Sequence, residues 1–204
     1  AVVEVLVARL DDAEYLVREA AAAALAQLAD PDEERNVVAL VGGLEHPSRR
    51  FREGAAAVAA QVFPRGDGRA VGALEPRTAS LDELVRADAV RALAQVAVRG
   101  DRRVLGGLAP RLEDASSRVR RSTVEAVAAL AESGDEEAIG ALLGRLGDTD
   151  HSVRKAALEA LAQVVRSEDE HIVEAVRARL ADPRRSVKEA AVRTLTALCS
   201  LSGS

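Results

Sequence analysis

A step of 34 residues relates six segments of this 204-residue chain without a gap. An apolar residue followed by a cation recurs at this step as Val17-Arg18, Phe51-Arg52, Val85-Arg86, Val119-Arg120, Val153-Arg154 and Val187-Lys188. Because 204 is six times 34, the chain divides into repeats of about 1–34, 35–68, 69–102, 103–136, 137–170 and 171–204. A period of this length predicts a single array of stacked units, because each unit alone is too small to bury its own apolar face.

Apolar residues inside each repeat follow the spacing of an α-helix. They recur at offsets of four, eight and eleven from the first residue of the apolar-cation pair, which is one stripe of an amphipathic helix, here named helix A. A second stripe precedes it at offsets of three and seven, as in Val3, Leu6 and Leu10, and predicts helix B. No stretch sustains the period of two that a strand requires. The sequence therefore predicts about twelve short helices.

The junction between helix A and the next helix B carries turn and cap residues. Acidic residues occupy one register position in five repeats, namely Glu33, Asp67, Asp101, Asp135 and Asp169. Glycine precedes three of them, at Gly66, Gly100 and Gly134. We expect the glycine to adopt a left-handed turn and the acidic side chain to cap helix B.

Aromatic residues are scarce, and this limits both the core and the choice of repeat family. Tyr15, Phe51 and Phe63 are the only ones in the chain, so the core must be aliphatic. Tetratricopeptide repeats also have a period of 34 but need large aromatics at fixed positions, so we reject them. No apolar run approaches the roughly 18 residues that span a bilayer, so we expect a soluble, cytoplasmic protein without a membrane partner.

The recurring pattern Asp-x4-Val-Arg-x-x-Ala resembles short HEAT repeats of the bilin-lyase type over essentially the whole chain. The resemblance implies an all-α fold, a right-handed α-solenoid of about six two-helix HEAT-like repeats. It also implies that the acids and cations of successive repeats form a structural ladder along the stack. The ladder residues are Asp12, Arg18, Arg52, Arg86, Asp114, Arg120, Asp148, Arg154, Asp182 and Lys188.

The second and third repeats depart from the pattern. His46 and Ser80 stand where the other repeats have the ladder acid, and Gly54, Thr78 and Asp88 fit their apolar stripes poorly. We interpret this as a local change in curvature, with a binding site as the alternative.

The resemblance places helix B on the concave side, so its outward positions become the expected contact surface. Several of them are glycine: Gly42, Gly72, Gly106, Gly107, Gly140 and Gly144. Each glycine costs a helix about 1 kcal/mol relative to alanine, so several on one face require a reason. We favour tight packing against the neighbouring helix B over close approach of a partner.

Two sets of basic residues are candidates for binding an acidic partner. One, the arginine row, recurs in a single phase near the end of helix B and comprises Arg9, Arg77, Arg111, Arg145 and Arg179. The other, the basic edge, lies at the turn that enters helix A and comprises Arg49, Arg50, Arg184 and Arg185, with Tyr15 in the same row. A line of like charge favours acidic segments or phosphates.

Catalytic and metal-binding motifs are not evident. Glu45-His46 and Glu170-His171 reverse the order of the His-Glu pairs of HEAT-like hydroxylases and lie far apart, and Cys199 falls at an apolar phase that predicts burial. We therefore expect no enzyme activity, no cofactor and no metal site.

The leading hypothesis is a non-catalytic scaffold that binds a protein or peptide partner, with acidic character, through helix B or the basic edge. One alternative is nucleic-acid binding similar to that of HEAT-like DNA-repair glycosylases, which the few aromatics and the net charge of −5 disfavour. Another is a bilin-lyase-like subunit, implied by the repeat type alone. Because the first repeat begins directly with helix B, we also expect the chain to be a fragment of a longer one.

Overall fold

A computed structural model describes residues 2–30, 34–166 and 169–201, without the side chains of residues 35 and 201. Two compact units divide the chain, Ala1–Val98 and Arg99–Ser204, and each is described by itself. Across the described residues the regular structure consists of α-helices and short 3₁₀ turns. The fold is an all-α solenoid, as the repeat predicts.

The first unit contains three helix pairs. Its helices are α1 (Val2–Ala8), α2 (Tyr15–Leu28), α3 (Glu34–Gly42), α4 (Arg49–Val62), α5 (Gly68–Leu74) and α6 (Glu83–Val96). The odd-numbered helices are the predicted B helices and the even-numbered ones the predicted A helices. Each described B helix runs into a 3₁₀ turn of three to five residues, such as Arg9–Asp11 or Glu75–Ala79.

The second unit repeats this arrangement. Its helices are α7 (Arg102–Leu108), α8 (Ser117–Leu130), α9 (Glu136–Gly144), α10 (His151–Val164), α11 (Glu170–Ala178) and α12 (Arg185–Leu201). Helix α10 packs between α8 and α12, and α9 packs on α10. Consecutive A helices are therefore neighbours, as stacking of a 34-residue repeat requires.

The core of each unit is built from small and branched aliphatic side chains. Leu25, Leu44 and Ala55 are buried in the first unit, and Leu142 and Leu161 in the second. Phe51 and Phe63 are also buried. The prediction of an aliphatic core is confirmed for most buried side chains, and the two phenylalanines are the buried aromatic exceptions among the described residues.

The junction residues adopt the predicted turn and cap. Gly66, Gly100 and Gly134 have φ angles of 85°, 83° and 84°. The next residue caps the following helix B in each case, as Asp101 does by accepting hydrogen bonds from the backbone N–H groups of Arg103 and Val104. Asp169 caps α11 in the same way. The remaining predicted cap, Glu33, lies outside the described residues.

These turns also join successive repeats. The N–H of Gly66 donates to the carbonyl of Val96 (2.6 Å), that of Gly100 to Leu130 (2.7 Å) and that of Gly134 to Val164 (2.6 Å). Each acceptor is the last residue of the helix A in the next repeat. The glycine turn thus satisfies a carbonyl that a helix end leaves without an intrahelical partner.

Four apolar positions differ from the expected burial. Val17, Leu28, Leu180 and Cys199 are exposed. They belong to the first and last repeats, where the described residues supply a neighbouring repeat on one side only. Helix α12 buries Ala190, Ala191 and Leu198 instead, so the prediction of a buried Cys199 is wrong.

Candidate partner-binding surface

The B-helix glycines lie on open surface. A Cβ atom built at Gly42, Gly72, Gly106, Gly107, Gly140 or Gly144 meets no heavy atom of another part of the described structure within 4 Å. Tight packing between B helices therefore does not explain them, and that interpretation is wrong. Gly43 is different, because its Cβ would lie 2.8 Å from the Cβ of Ala55.

An apolar notch lies beside one of these glycines, Gly106. It has a volume of about 50 Å³ and lies between α7 and α9, with Leu105, Gly106, Ala109 and Ala141 in its lining. The charged side chains of Arg102, Asp135 and Glu137 also line it, with Arg102 Nη1 3.2 Å from Asp135 Oδ1 and 3.3 Å from Glu137 Oε2. The surface therefore combines bare backbone with a small apolar recess and a polar rim.

The arginine row borders this surface, and its donors are directed largely into the repeat array. Arg145 Nη1 donates to the carbonyl of Leu112 (2.9 Å), and Arg179 Nη1 donates to that of Leu146 (3.1 Å). Arg145 also pairs with Glu113 of the preceding repeat. In the first unit, Arg77 Nε lies 3.0 Å from Glu45 Oε1.

Members of the row also contact the ladder acid of their own repeat. The shortest N–O separations are 3.5 Å for Arg9 and Asp12, 3.9 Å for Arg111 and Asp114, and 3.8 Å for Arg145 and Asp148. These contacts hold the arginines within their own repeat, and the bonds of Arg145 and Arg179 to the preceding repeat give the row a role in joining repeats. Binding of a partner by the row remains a prediction.

The ladder implied by the resemblance forms within the second unit. Arg120 donates two hydrogen bonds to the carboxylate of Asp148 (2.8 and 2.7 Å), and Arg154 donates two to that of Asp182 (2.7 and 3.0 Å). The remaining nitrogen of each guanidinium donates to two carbonyls of its own repeat; for Arg154 these are Asp148 and Thr149. Arg18, Arg52 and Arg86 make equivalent bonds to their own B–A turns.

The ladder changes the acidity of its carboxylates. The side-chain hydrogen bond from Arg154 lowers the pKa of Asp182, and partial burial opposes it only in part. Burial acts to raise the pKa of Asp148, but hydrogen bonds from Arg120 and from the backbone N–H of Asp150 outweigh it, so that pKa is lowered too. Both acids are therefore held ionised, which the bidentate pairing requires.

The third repeat pairs with the cation of the second repeat through a different acid. Ser80 replaces the usual acid, and Arg52 Nε instead donates to Asp88 Oδ2 at 2.7 Å. Both side chains are buried, and Arg91 also pairs with Asp88. The sequence marked Asp88 as a poor fit to the stripe but did not assign it this partner. The sequence could have indicated this pairing, because the third repeat has Ser80 in place of the ladder acid and an additional acid, Asp88, on its helix A.

The basic edge is more exposed than the arginine row. Arg49, Arg50, Arg184 and Arg185 are exposed, with Arg49 bonded to Glu53 (2.8 Å) and Arg185 to Glu189 (2.7 Å) one helical turn away. Tyr15 is also exposed, and its hydroxyl donates to Glu19 (3.2 Å). The structure places these residues at the start of α2, α4 and α12, apart from the B-helix glycines in sequence and in helix type.

No group of His, Cys, Asp and Glu capable of holding a metal ion occurs among the residues that the structure describes. His46 stacks on Phe51 with ring centroids 4.2 Å apart, and its Nδ1 accepts a hydrogen bond from the N–H of Ser48. In the same described ranges, no helix is long and apolar enough to cross a membrane.

Comparison with known proteins supports the repeat class. A sequence profile of HEAT repeats matches residues 3–94, 73–162 and 105–196. No curated protein matches the chain.

Solved structures share the fold at low sequence identity. The Escherichia coli protein YibA is 20% identical with a TM-score of 0.70, covering 97% of this chain and 73% of that one. The CpcE–CpcF complex of phycocyanin lyase from Nostoc is 21% identical with a TM-score of 0.67, covering 79% and 99%. A designed armadillo repeat protein in complex with the peptide (KR)4 is 18% identical with a TM-score of 0.58, covering 96% and 99%.

Proposed function

The chain belongs to the HEAT-repeat family, and from this premise we propose that it is a non-catalytic scaffold that binds a protein or peptide partner along its B helices. The observation that carries the proposal is the set of open glycines at Gly106, Gly107, Gly140 and Gly144 in the second unit. Glycine inside a helix lowers stability, and neighbouring helices do not require it here. Close approach of a partner's main chain is the remaining reason for keeping side chains off this face.

The notch between α7 and α9 supports the same surface. Its apolar lining suits a small aliphatic side chain of the partner, and Arg102 and Glu137 at the rim offer a donor and an acceptor for polar groups beside it. Contacts to a partner's main chain do not distinguish one amino-acid sequence from another, whereas a recess of this kind selects the side chain that fits it. We propose an extended segment that crosses α7 and α9 with one aliphatic residue in the notch.

Acidic character in the partner is a further part of the proposal. Glu113 is an exposed partner of Arg145, so an acidic side chain of the bound segment can take its place at little cost. The arginine row can therefore bind an acidic side chain of the partner in place of its own glutamate. The two related complexes, phycocyanin lyase CpcE–CpcF and the armadillo design with (KR)4, support association with proteins or peptides as a use of this fold.

A selected peptide tests the proposal directly. We would select binders from a random peptide library displayed on phage, synthesise the strongest, label it and titrate it with the protein by fluorescence anisotropy. Gly140→Arg adds a large side chain whose Cβ meets no atom within 4 Å in the free protein, and Ala129→Arg places the same side chain on the exposed side of α8 as a matched control.

The proposal predicts that Gly140→Arg abolishes peptide binding while Ala129→Arg leaves it unchanged, with equal helical content in all three proteins. Equal binding by both variants would assign the contact to another surface. The basic edge would then be tested with Arg49→Ala and Arg185→Ala. A cytoplasmic location remains a prediction that fractionation of the native host would check.

A further inference from the structure

A cavity of about 130 Å³ lies between the A helices α4 and α6 of the first unit. Its described lining belongs to these two helices, so it is separate from the B-helix glycines and from the notch. A small side chain on α4 makes room for it. Ala56 stands at the repeat position that holds Val90, Val124 and Leu158 in the next three repeats, and those three side chains are buried.

Two arginines line this cavity and share one carboxylate. Arg52 Nε donates to Asp88 Oδ2 (2.7 Å), and Arg91 pairs with Asp88 Oδ1. The side chain of Arg52 is 4% exposed, that of Asp88 6% and that of Arg91 34%. Arg52 Nη1 is occupied by two carbonyls of its own B–A turn, whereas Arg52 Nη2 makes no hydrogen bond to any residue that the structure describes. A buried guanidinium therefore keeps two N–H donors for another acceptor.

The equivalent contact between α10 and α12 has a carboxylate for each arginine. Arg154 donates from both Nε and Nη2 to Asp182. Arg193 Nη2 donates to Glu159 Oε1 (2.9 Å). Three periods of 34 residues relate Arg154 to Arg52 and Arg193 to Arg91, so the two contacts can be compared residue by residue.

The contact between α4 and α6 lacks both of those acids. Ser80 stands at the position of the acid that pairs with Arg154, and Ala57 stands at the position of the glutamate that pairs with Arg193. Asp88 replaces one of the two carboxylates, so one is missing. Glu53 also lines the cavity, but Arg49 donates to it (2.8 Å) and matches its charge.

We propose that this cavity binds the carboxylate of a ligand, with Arg52 Nη2 and Arg91 as its donors. Hydrogen bonds between guanidinium and carboxylate are among the strong ones because both partners are ionised. A single negative charge balances the deficit, whereas the second charge of a phosphate monoester would lie near Asp88 without a cation of its own. Small organic acids and acidic side chains of proteins both carry this group, and the experiment distinguishes them.

The experiment follows the backbone amide signals of α4 and α6 in ¹⁵N-labelled protein by nuclear magnetic resonance. One titration uses sodium acetate, and a reference titration uses sodium chloride at equal ionic strength. Saturable shifts in these two helices are expected with acetate and not with chloride. A third titration uses a capped glycine–glutamate–glycine peptide. Both possible results support a carboxylate site: tighter binding of the peptide assigns the site to an acidic side chain, and tighter binding of acetate assigns it to a small organic acid.

Two variants test the assigned donors. Ala57→Glu supplies the acid that Glu159 provides in the second unit, and it should weaken acetate binding by at least about tenfold because it occupies Arg91. Ala129→Glu on α8 is the matched control and should leave the Kd unchanged, since both alanines are exposed and only Ala57 lines the cavity. Arg91→Gln keeps the bond between Arg52 and Asp88 and should weaken acetate binding by a similar factor.

Three results would overturn the proposal. Wild-type protein without saturable shifts in α4 and α6 up to high acetate concentration would exclude the site. Equal shifts with chloride would show that the cavity responds to ionic strength and does not select a carboxylate. Acetate binding that is unchanged in both Ala57→Glu and Arg91→Gln would place the bound carboxylate elsewhere.

Discussion

The cation that follows the first apolar residue of helix A performs the same task in the first five repeats. Arg18, Arg52, Arg86, Arg120 and Arg154 each donate to two carbonyls of their own B–A turn. Within the described units, Arg52, Arg120 and Arg154 also form an ion pair with an acid of the next repeat. Arg52 pairs with Asp88, which lies on helix A, whereas the acids of the other two pairs precede helix A. One side chain thereby fixes a turn and the register between repeats.

Removing Asp88 tests this role in the first unit. We expect Asp88→Ala to lower the free energy of unfolding by about 3–5 kcal/mol, because it leaves Arg52 buried without a counter-charge. Glu53→Ala breaks the exposed Arg49–Glu53 pair nearby and should cost about 1 kcal/mol or less. Urea unfolding followed by circular dichroism measures both.

Moving the acid back to the usual position provides the control. Asp88→Ser with Ser80→Asp recreates the arrangement of the fourth and fifth repeats, where the acid precedes helix A as Asp114 and Asp148. Recovery of most of the lost stability is expected. A double variant no more stable than Asp88→Ser alone would contradict the ladder as the reason for keeping Asp88.

The pH dependence of stability tests a cap in the second unit. Asp150 caps α10 and accepts hydrogen bonds from the hydroxyl and the backbone N–H of Ser152, which lower its pKa from 3.8 to about 2. A lowered pKa means that the unfolded chain binds the proton first, so the contribution of Asp150 is complete above about pH 4 and is lost as pH falls towards 2. Asp150→Asn should flatten the loss of urea stability over this range. An unchanged slope would contradict the assignment.

Two classes of glycine differ at the scale of secondary-structure elements. Gly66, Gly100 and Gly134 have positive φ and donate to the end of the next helix A, as the sequence predicted for their conformation. The B-helix glycines were expected to be crowded by the neighbouring helix B, yet they are open. Spacing reports which face of a helix a residue occupies, but it does not report how closely the neighbouring helix approaches that face.

Alanine substitutions should change the free energy of unfolding in opposite directions in the two classes of glycine. Gly134→Ala is expected to lower the free energy of unfolding by about 1–2 kcal/mol, because a side chain there is strained at φ +84°. Gly107→Ala is expected to raise it by up to about 1 kcal/mol, since helix propensity improves and nothing clashes. Thermal unfolding of the two variants beside wild type measures both. Destabilisation by Gly107→Ala would show that this glycine serves the fold itself.

At the scale of the whole molecule, the 34-residue period was sufficient to predict the helix pairs, their order and the positions of their caps. Stacking buries equivalent positions in successive repeats, so the sequence repeats wherever the environment repeats. The period was least informative where the environment does not repeat. Leu28 and Cys199 belong to the first and last repeats, where they are exposed. In the third repeat, Ser80 stands at the position of the ladder acid, and Asp88 pairs with Arg52 instead. Surfaces are also underdetermined, because charge counts do not show that Arg145 already holds Glu113.

The central claim is that the open glycines of α7 and α9 are kept for a partner at the expense of stability. The most direct measurement compares unfolding and peptide affinity in one variant, Gly106→Ala with Gly140→Ala, using the peptide selected against wild type. The account predicts a protein that is more stable by about 1–2 kcal/mol and binds at least tenfold more weakly, because two methyl groups prevent close approach of the peptide backbone. A variant that is more stable and binds as tightly as wild type would contradict it.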